Sequence, residues 1–347
     1  MKKTKPIEVD NKSISDLLSD MRDTGFQGRN LAMAYELIKK MIEEPELTII
    51  LGYAGSLSTT GQWKLVKWLI ENNFVDIIVS TGANISEDLI EAMGNYYYQC
   101  PPKYDDTELF KSGYNRYYNV LGKESDYIQM TEMIAEFILT LQADYSYSSR
   151  EFLYEFGCWL QKHNINSIIT AAAKNKVPVY CPAIVDSPYG DASLIAYSKG
   201  FKLLIDNVKD YIEFMSLAEG VKQTGVIYLG GGVPKDFIQL FSVTADLMYE
   251  DRKIPERNNF AERDGVDETY YPHKYAVQIT TDSPQWGGLS GCTFEEAISW
   301  GKEENIDNFI QCYCDATIAF PIIIHSLNET LTIERKKDNS KINSLFI

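Results

Sequence analysis

Histidine is scarce in this sequence, with three in 347 residues, and His163, His273 and His325 fall far apart. The six cysteines, at 100, 158, 181, 292, 312 and 314, are scattered through a chain too long to need disulfide staples. Cys312 and Cys314 form a CxC, yet no Cys or His pair nearby completes a zinc set. Reduced thiols and no metal are the expectation. No stretch reaches the roughly 18–20 apolar residues of a membrane span, and the opening MKKTKPIEVDN leads into no apolar signal-peptide core. This predicts a cytoplasmic protein that does not enter membranes. Positive charge is in deficit: 33 Lys and Arg face 49 Asp and Glu, a net charge of −16. Such a field repels nucleic-acid phosphate and anionic lipid and concentrates cations, so a polycationic small molecule suits it better than nucleic acid.

What is present reads as a soluble globular chain, with 45% hydrophobic and 24% charged residues. Helical apolar spacing over 13–44 (Ile14, Leu17, Leu18, Met21, then Leu31, Ala34, Tyr35, Ile38, Met41) predicts two lead-in helices. From residue 47 the rhythm changes. LTIILGY is a continuous apolar run, QWKLVKWLIENN is helical, and VDIIVSTG is again apolar. Further strand-like runs follow at VPVYCPAI (177–184), KLLID (202–206), GVIYLGGG (225–232), YAVQITT (275–281) and FIQCYC (309–314). Continuous apolar strands alternating with helices predict an α/β fold with a doubly wound, mainly parallel, Rossmann-like sheet. The expected domains are a helical lead-in over 1–45, one catalytic α/β domain over 46–330, and a polar tail over 331–347 whose KKDNSKINS stretch (336–344) is expected to fray. Two stretches break the rhythm: the Tyr-rich 96–124 and the charge-rich 250–272, both read as excursions from the sheet.

Ligands of open α/β sheets bind beyond the carboxyl ends of the strands. There this sequence has AGSLSTTG (54–61), STGAN (80–84) and LGGGVPK (229–235), small residues whose backbone N–H groups can approach phosphate. Three such turns predict a dinucleotide, although the GxGxxG fingerprint of an ordinary Rossmann unit is missing. The segment WGGLSGCTFEEAISWGKEEN (286–305) is the most informative. Thr293 and Glu296 have capping-box spacing, which gives Glu296 a structural reading as a helix-start partner. Lys302 follows Trp300 and Gly301. A lysine in an aromatic, apolar setting loses proton affinity and becomes an amine suited to imine chemistry; the plainer reading is a surface lysine at a helix end.

TFEEAISWGK resembles the EAxSWGK signature of the deoxyhypusine synthase family, and STGANISEDL, CPAIVDSPYGD and LGGGVPK resemble its other signatures in the same order. Together they cover residues of about 15 to 327. The resemblance implies NAD-dependent oxidation of spermidine, capture of the butylimine on a lysine, transfer to an acceptor amine and return of the hydride, with no net redox change. It further implies that Lys302 forms the enzyme imine, that Trp300 packs along the polyamine, and that Glu296 and Asp191 hold its cationic ends. Apolar walls with anionic ends suit a butylamine chain. For NAD the implied contacts are Ser56, Ser58, Thr59, Thr81, Gly82, Ala83, Glu87, Asp186, Gly231, Gly232, Asp315 and Ala316. The resemblance also implies a homotetramer with sites at dimer interfaces. Glu87 and Asp186 have structural readings as well, as first-turn helix charge and turn cap.

Two departures bear on the substrate. Where the family has Lys-His-His this chain has Lys235, Asp236, Phe237, so Asp236 stands in the place of a proton-transferring histidine. Where the family has an acidic GSDSGA loop this chain has GGLSGC, placing Leu289 at a substrate-binding aspartate. The leading expectation is 4-aminobutyl transfer from spermidine to putrescine, giving homospermidine. A lysine of translation initiation factor 5A is the alternative acceptor. A non-catalytic NAD- or polyamine-binding regulator is the alternative of another class.

Overall fold

The computed structural model describes residues 1–255, 257, 260–265, 269–304, 308–335 and 340–346. Contacts group them into two compact units, one of residues 1–53, 72–79 and 212–347, the other of 54–71 and 80–211.

The first unit is built on five strands: β1 (Leu47–Tyr53), β2 (Ile77–Ser80), β3 (Gln223–Leu229), β4 (Tyr275–Thr280) and β5 (Phe309–Tyr313), in the order β5-β4-β3-β1-β2. The pairs β1–β3, β3–β4 and β4–β5 are parallel. β1 and β4 are buried along their whole length, which is why both read as unbroken apolar runs rather than alternating ones. The two lead-in helices form as predicted, Ile14–Met21 starting on a Ser13 cap and Phe26–Glu43 burying Leu31, Ala34, Tyr35, Ile38 and Met41. They pack with the helix Ala316–Thr330. Asn30 donates to the Gln311 carbonyl at 3.1 Å, and Gln27 accepts from the Tyr313 backbone at 2.7 Å, tying the second helix to β5.

The second unit is mainly helical. Glu124–Ile138, Ser149–Lys162, Ile168–Lys174 and Pro188–Ser198 enclose an aromatic core of Phe137, Phe152, Phe156 and Tyr189. The 96–124 excursion is a small antiparallel sheet of Tyr98–Gln99, Tyr114–Tyr117 and Val120–Lys123.

Three expectations change. KLLID contributes only Leu204–Ile205, which pairs with Ser146–Tyr147 in a separate two-stranded sheet; both residues are half-buried, too little covered for a central strand. VPVYCPAI shortens to the strand Val179–Tyr180, because Pro182 cannot donate to a ladder. The tail does not fray over Ser340–Ser344, a helix whose Ile342 is buried and whose Lys341 pairs with Glu219. The tail expectation over 336–339 lies outside the described residues. Within 250–272, Ala261–Glu262 pairs antiparallel with Thr269–Tyr270, and residues 256, 258, 259 and 266–268 lie outside the description. Among the described residues no helix is long and apolar enough to cross a membrane, and no group of His, Cys, Asp and Glu is arranged to hold a metal.

The start of β1 is locked by a buried ion pair. Asp76 accepts the Ile49 backbone N–H at 2.7 Å, and Arg335 grips the same carboxylate at 2.8 and 3.1 Å while donating to the Asn73 carbonyl. Both side chains are at least nine-tenths covered, so deleting one strands the other's charge in a poorly solvated place. Arg335→Ala should therefore lower the unfolding free energy by about 3 kcal/mol, measured by urea denaturation. A loss below about 0.5 kcal/mol, the scale of an ordinary surface change, would contradict this reading of the pair.

Candidate active site

The geometry around Lys302 begins with a helix that stops in a set way. Phe294–Ser299 starts on Thr293, whose hydroxyl accepts the Glu296 N–H at 3.1 Å, half of the capping box that the spacing suggested. It ends at Trp300, and Gly301 turns left-handed at φ +77°. The Gly301 N–H then bonds to the Ile298 carbonyl at 2.9 Å and the Lys302 N–H to the Ala297 carbonyl at 3.1 Å, the two-bond closure of a Schellman motif. Glycine is required twice over: a Cβ here would be strained, and it would sit 2.7 Å from the Tyr270 ring. The next residues are pinned as well. His273 donates its N–H to the Lys302 carbonyl and receives the Glu304 N–H, both at 3.0 Å.

Thus held, Lys302 points its ammonium at Asp236 of the helix Gly232–Thr244, with Nζ 3.3 Å from Oδ1. It also lies 5.5 Å from the centre of the Trp300 ring. The lysine side chain is 12% exposed, Asp236 is 41% exposed and Trp300 is 59% exposed, so an inward amine is flanked by an accessible carboxylate and an accessible aromatic face. That is an arrangement for receiving an organic cation.

A buried polar network holds the loop before this helix. Gln278 of β4 and Gln311 of β5 are register partners, and Gln311 donates to the Gln278 side-chain oxygen at 2.8 Å and to the Cys292 carbonyl at 3.0 Å. Lys235, fully buried, donates to the same two acceptors at 3.0 and 2.7 Å. Gln278 in turn donates to the Gly230 and Ser290 carbonyls, each at 2.8 Å. Gly231 fits against this loop so closely that a Cβ would stand 2.5 Å from the Ser290 Cα. Burial pushes the Lys235 ammonium below its usual proton affinity, which its two acceptors satisfy. His273 is a structural residue. Burial holds it at about 3, neutral at working pH, with its ring nitrogens on Thr224 and the Ile238 carbonyl.

The other expected residues of this unit scatter more. Leu289 lies in the single turn Leu289–Gly291 and is half-buried. Glu296 is exposed, one turn before Trp300. Asp315 caps the helix Ala316–Thr330 by accepting the Thr317 N–H at 2.7 Å, so its structural use is evident. Gly232 is left-handed at φ +62° and opens the helix that carries Asp236.

In the second unit Asn84, a residue the sequence reading passed over, joins two of the expected turns. Its side-chain oxygen accepts the Leu57 N–H at 3.0 Å, its carbonyl accepts the Ser58 hydroxyl at 2.6 Å, and its amide donates to Thr81 at 3.2 Å. Thr59 closes its own turn on the Ser56 carbonyl. A third loop joins them: a Cβ at Gly82 would collide with Ser187 at 2.3 Å, and Tyr189 donates to the Ile85 carbonyl at 2.6 Å. Ser58, Thr81, Gly82, Ala83 and Glu87 therefore share one hydrogen-bonded assembly. Asp186 and Asp191 are exposed at the following loop and helix start. Glu87 is buried with one carboxylate oxygen unpartnered. Desolvation pushes it up to about 7; the Tyr117 hydroxyl opposes this in part and neighbouring Asp88 adds to it.

These geometries can be set beside known proteins. The family model for deoxyhypusine synthase matches residues 16–327. The chain is 39% identical over 328 residues to the "Probable deoxyhypusine synthase 2" of Methanosarcina mazei, covering 94% of this chain and 90% of that one. It is 40% identical over 317 residues to the protein of the same name from Archaeoglobus fulgidus, covering 91% and 98%. Among solved structures, that of a "putative deoxyhypusine synthase" from Entamoeba histolytica superposes with a TM-score of 0.60 at 20% identity, covering 94% and 97% of the two chains; at that identity it speaks for the fold. The chain belongs to the deoxyhypusine synthase family.

Glu87 gives a pH-dependent stability. In the folded chain it keeps its proton up to about pH 7, whereas unfolded it releases it near 4.5. Stability from this group is complete below the unfolded value and falls as pH rises through 7, by up to about 3 kcal/mol. Glu87→Gln should thus raise the melting temperature at pH 8 and leave it nearly unchanged at pH 4.5. A lowered melting temperature at pH 8 would contradict the assignment.

Proposed function

We propose that this protein is an NAD-dependent aminobutyltransferase that moves a 4-aminobutyl group from spermidine, through an imine on Lys302, to an amine acceptor, with putrescine the acceptor and homospermidine the product. The observation that carries the reading is the inward Lys302 amine, set by the Gly301 turn and facing Asp236 and Trp300. The family resemblance supplies the reaction class. The doubly wound character of the sheet and the family's homotetramer come with it as expectations.

NAD, when bound, takes a hydride from the donor amine and returns it at the end. The residues present fit such a group. Glu87 offers an unpartnered carboxylate oxygen suited to ribose hydroxyls. Around Thr81, Gly82 and Ala83 the backbone is fixed by Asn84 and kept bare by glycine, as phosphate approach requires. Ser56, Ser58, Thr59 and Asp186 belong to the same proposal, as do Gly231, Gly232, Asp315 and Ala316.

The protein's own work is done by Lys302 and Asp236. Asp236 takes a proton from the Lys302 ammonium, and the freed amine adds to the imine carbon of the oxidised donor. The carbon–nitrogen bond to the diaminopropane portion breaks as Asp236 returns the proton to the departing nitrogen, leaving the butylimine on Lys302. Asp236 has then lost its cationic partner and is open to the acceptor. The acceptor amine attacks the same carbon and releases Lys302. Trp300 packs along the methylenes, while Glu296 and Asp191 hold terminal ammoniums.

The choice of putrescine rests on Asp236 and Leu289. A protein lysine brings a single ammonium, which must lose its proton to react and leaves no second cation to be held in the site. A carboxylate favours an acceptor with a second ammonium at its far end, which putrescine has. A lysine of factor 5A remains the alternative acceptor, on the strength of what the archaeal relatives are named. An NAD- or polyamine-binding regulator is disfavoured because a binder needs no inward nucleophile.

Borohydride added with NAD and spermidine should fix a four-carbon amine on Lys302, detected by peptide mass, and Lys302→Ala should abolish transfer; attachment to another lysine would overturn the assignment. Asp236→Asn should raise the KM for putrescine by about tenfold, the size of one charge-assisted hydrogen bond, and leave the NAD-induced rise in melting temperature unchanged. Efficient modification of factor 5A without homospermidine would reverse the order of the two acceptors. Replacing Glu87 or Asp186 by Ala should cut the NAD-induced rise more than replacing an exposed acid such as Glu108; Glu303, which its place in KEEN suggests as such a control, is buried.

A further inference from the structure

Directly after Lys302 the chain buries a second ionisable side chain that the mechanism above does not use. Glu303 is 3% exposed, and neither of its carboxylate oxygens makes a hydrogen bond. Its surroundings are polar and equally unpaired. The Tyr228 hydroxyl of β3 is fully buried without a partner, and so are both amide atoms of Gln239, which follows Asp236 along the same helix. Lys235 from that helix and Lys302 and Glu304 from its own segment also act on Glu303, while Gln239 offsets its burial only in part. Glu303 is fixed in place through its bridge to His273, which is neutral. An ionised carboxylate in such a place, its burial opposed only in part by the Gln239 amide and the two lysines, would carry a large desolvation cost; the uncharged acid is the form this pocket favours. Burial accordingly pushes Glu303 well above the usual carboxylate range, and Tyr228 shifts upward with burial and with the nearness of Glu303 and Asp236.

We propose that Glu303 is a positioning residue for Lys302: a buried acid, packed with Tyr228 and Gln239 behind the nucleophile, whose neutrality leaves Asp236 as the anion in contact with the amine. Ionising it places a second negative charge behind Lys302, which holds the ammonium and withdraws the nucleophile. Glu303 touches neither substrate nor cofactor and acts through Lys302. The proposal rests on the reading of Lys302 as the imine-forming amine, and its test needs no turnover.

The test is competitive acetylation of the full-length protein with acetic anhydride across pH 6–10, with Lys302 labelling read by peptide mass in wild type, Glu303→Gln and Glu303→Leu. At pH 7 wild type and Glu303→Gln should label Lys302 at the same rate within about twofold. As rising pH ionises Glu303, Glu303→Gln should come to label faster than wild type, by up to about tenfold, the limit for a charge that raises the lysine's proton affinity by one unit. Glu303→Leu should match Glu303→Gln in this ratio, since both lack the charge. Identical rates in all three proteins throughout, or a difference already present at pH 7, would overturn the proposal. Carbon-13 carboxyl NMR of the wild type gives a reading that requires no variant to fold: the Glu303 resonance should show a protonated carboxyl at pH 7, and an ionised one would equally overturn it. Because acetic anhydride needs neither NAD nor polyamine, failure here leaves lysine-mediated transfer standing, and absence of transfer leaves the Glu303 effect readable.

Discussion

A buried lysine that is not the proposed nucleophile holds the neighbourhood of Lys302 together. Lys235 and Gln311 converge on the Cys292 carbonyl and on the Gln278 side-chain oxygen, and through the Gln278 amide the network reaches Gly230 and Ser290. These bonds join three parallel strands to one loop, so the helix Phe294–Ser299 leaves from a fixed point. That helix ends on Gly301, and the lysine after it has little freedom left. A polar network of this kind stabilises to the extent that its members are satisfied, and here the Lys235 ammonium meets two acceptors while Gln278 and Gln311 each use both their side-chain oxygen and their amide. Replacing Gln278 by an apolar residue would leave the Lys235 ammonium short of an acceptor, a larger defect than a missing side chain alone.

The two carboxylates nearest this centre have different environments and therefore different uses. Asp236 is partly exposed and paired with a cation, a group able to pass a proton and then to bind an incoming ammonium. Glu303 is sealed away without a donor and is suited to a neutral role. Glu87, in the other unit, lies between these cases, buried but with one oxygen unpartnered. Environment sets three acids of the same chemistry apart.

Much of this could be read from the sequence, for identifiable reasons. The strands β1, β3 and β4 are buried runs and announce themselves, and the Trp300-Gly301-Lys302 turn is a local pattern whose consequences stay local. The misreadings have a common cause. KLLID has the composition of a core strand, yet its place depends on a partner, Ser146–Tyr147, nearly sixty residues away, and Pro182 limits VPVYCPAI in a way an apolar count does not register. The residues passed over are those whose meaning is tertiary. Gln278 and Gln311 matter as a cross-strand pair, Asn84 because two turns meet on it, and Glu303 because its burial contradicts its type. A charged residue beside Lys302 in KEEN reads as solvent-facing, and only the folded chain reveals it as enclosed.

The central claim is that an amine on Lys302 passes an aminobutyl group between polyamines. Purified protein incubated with NAD and spermidine, with and without putrescine, tests this most directly when the amines formed are identified by mass. The account predicts diaminopropane in both reactions and homospermidine in quantity when putrescine is present. Intact spermidine with no diaminopropane under either condition, from protein whose melting temperature NAD raises, would contradict it.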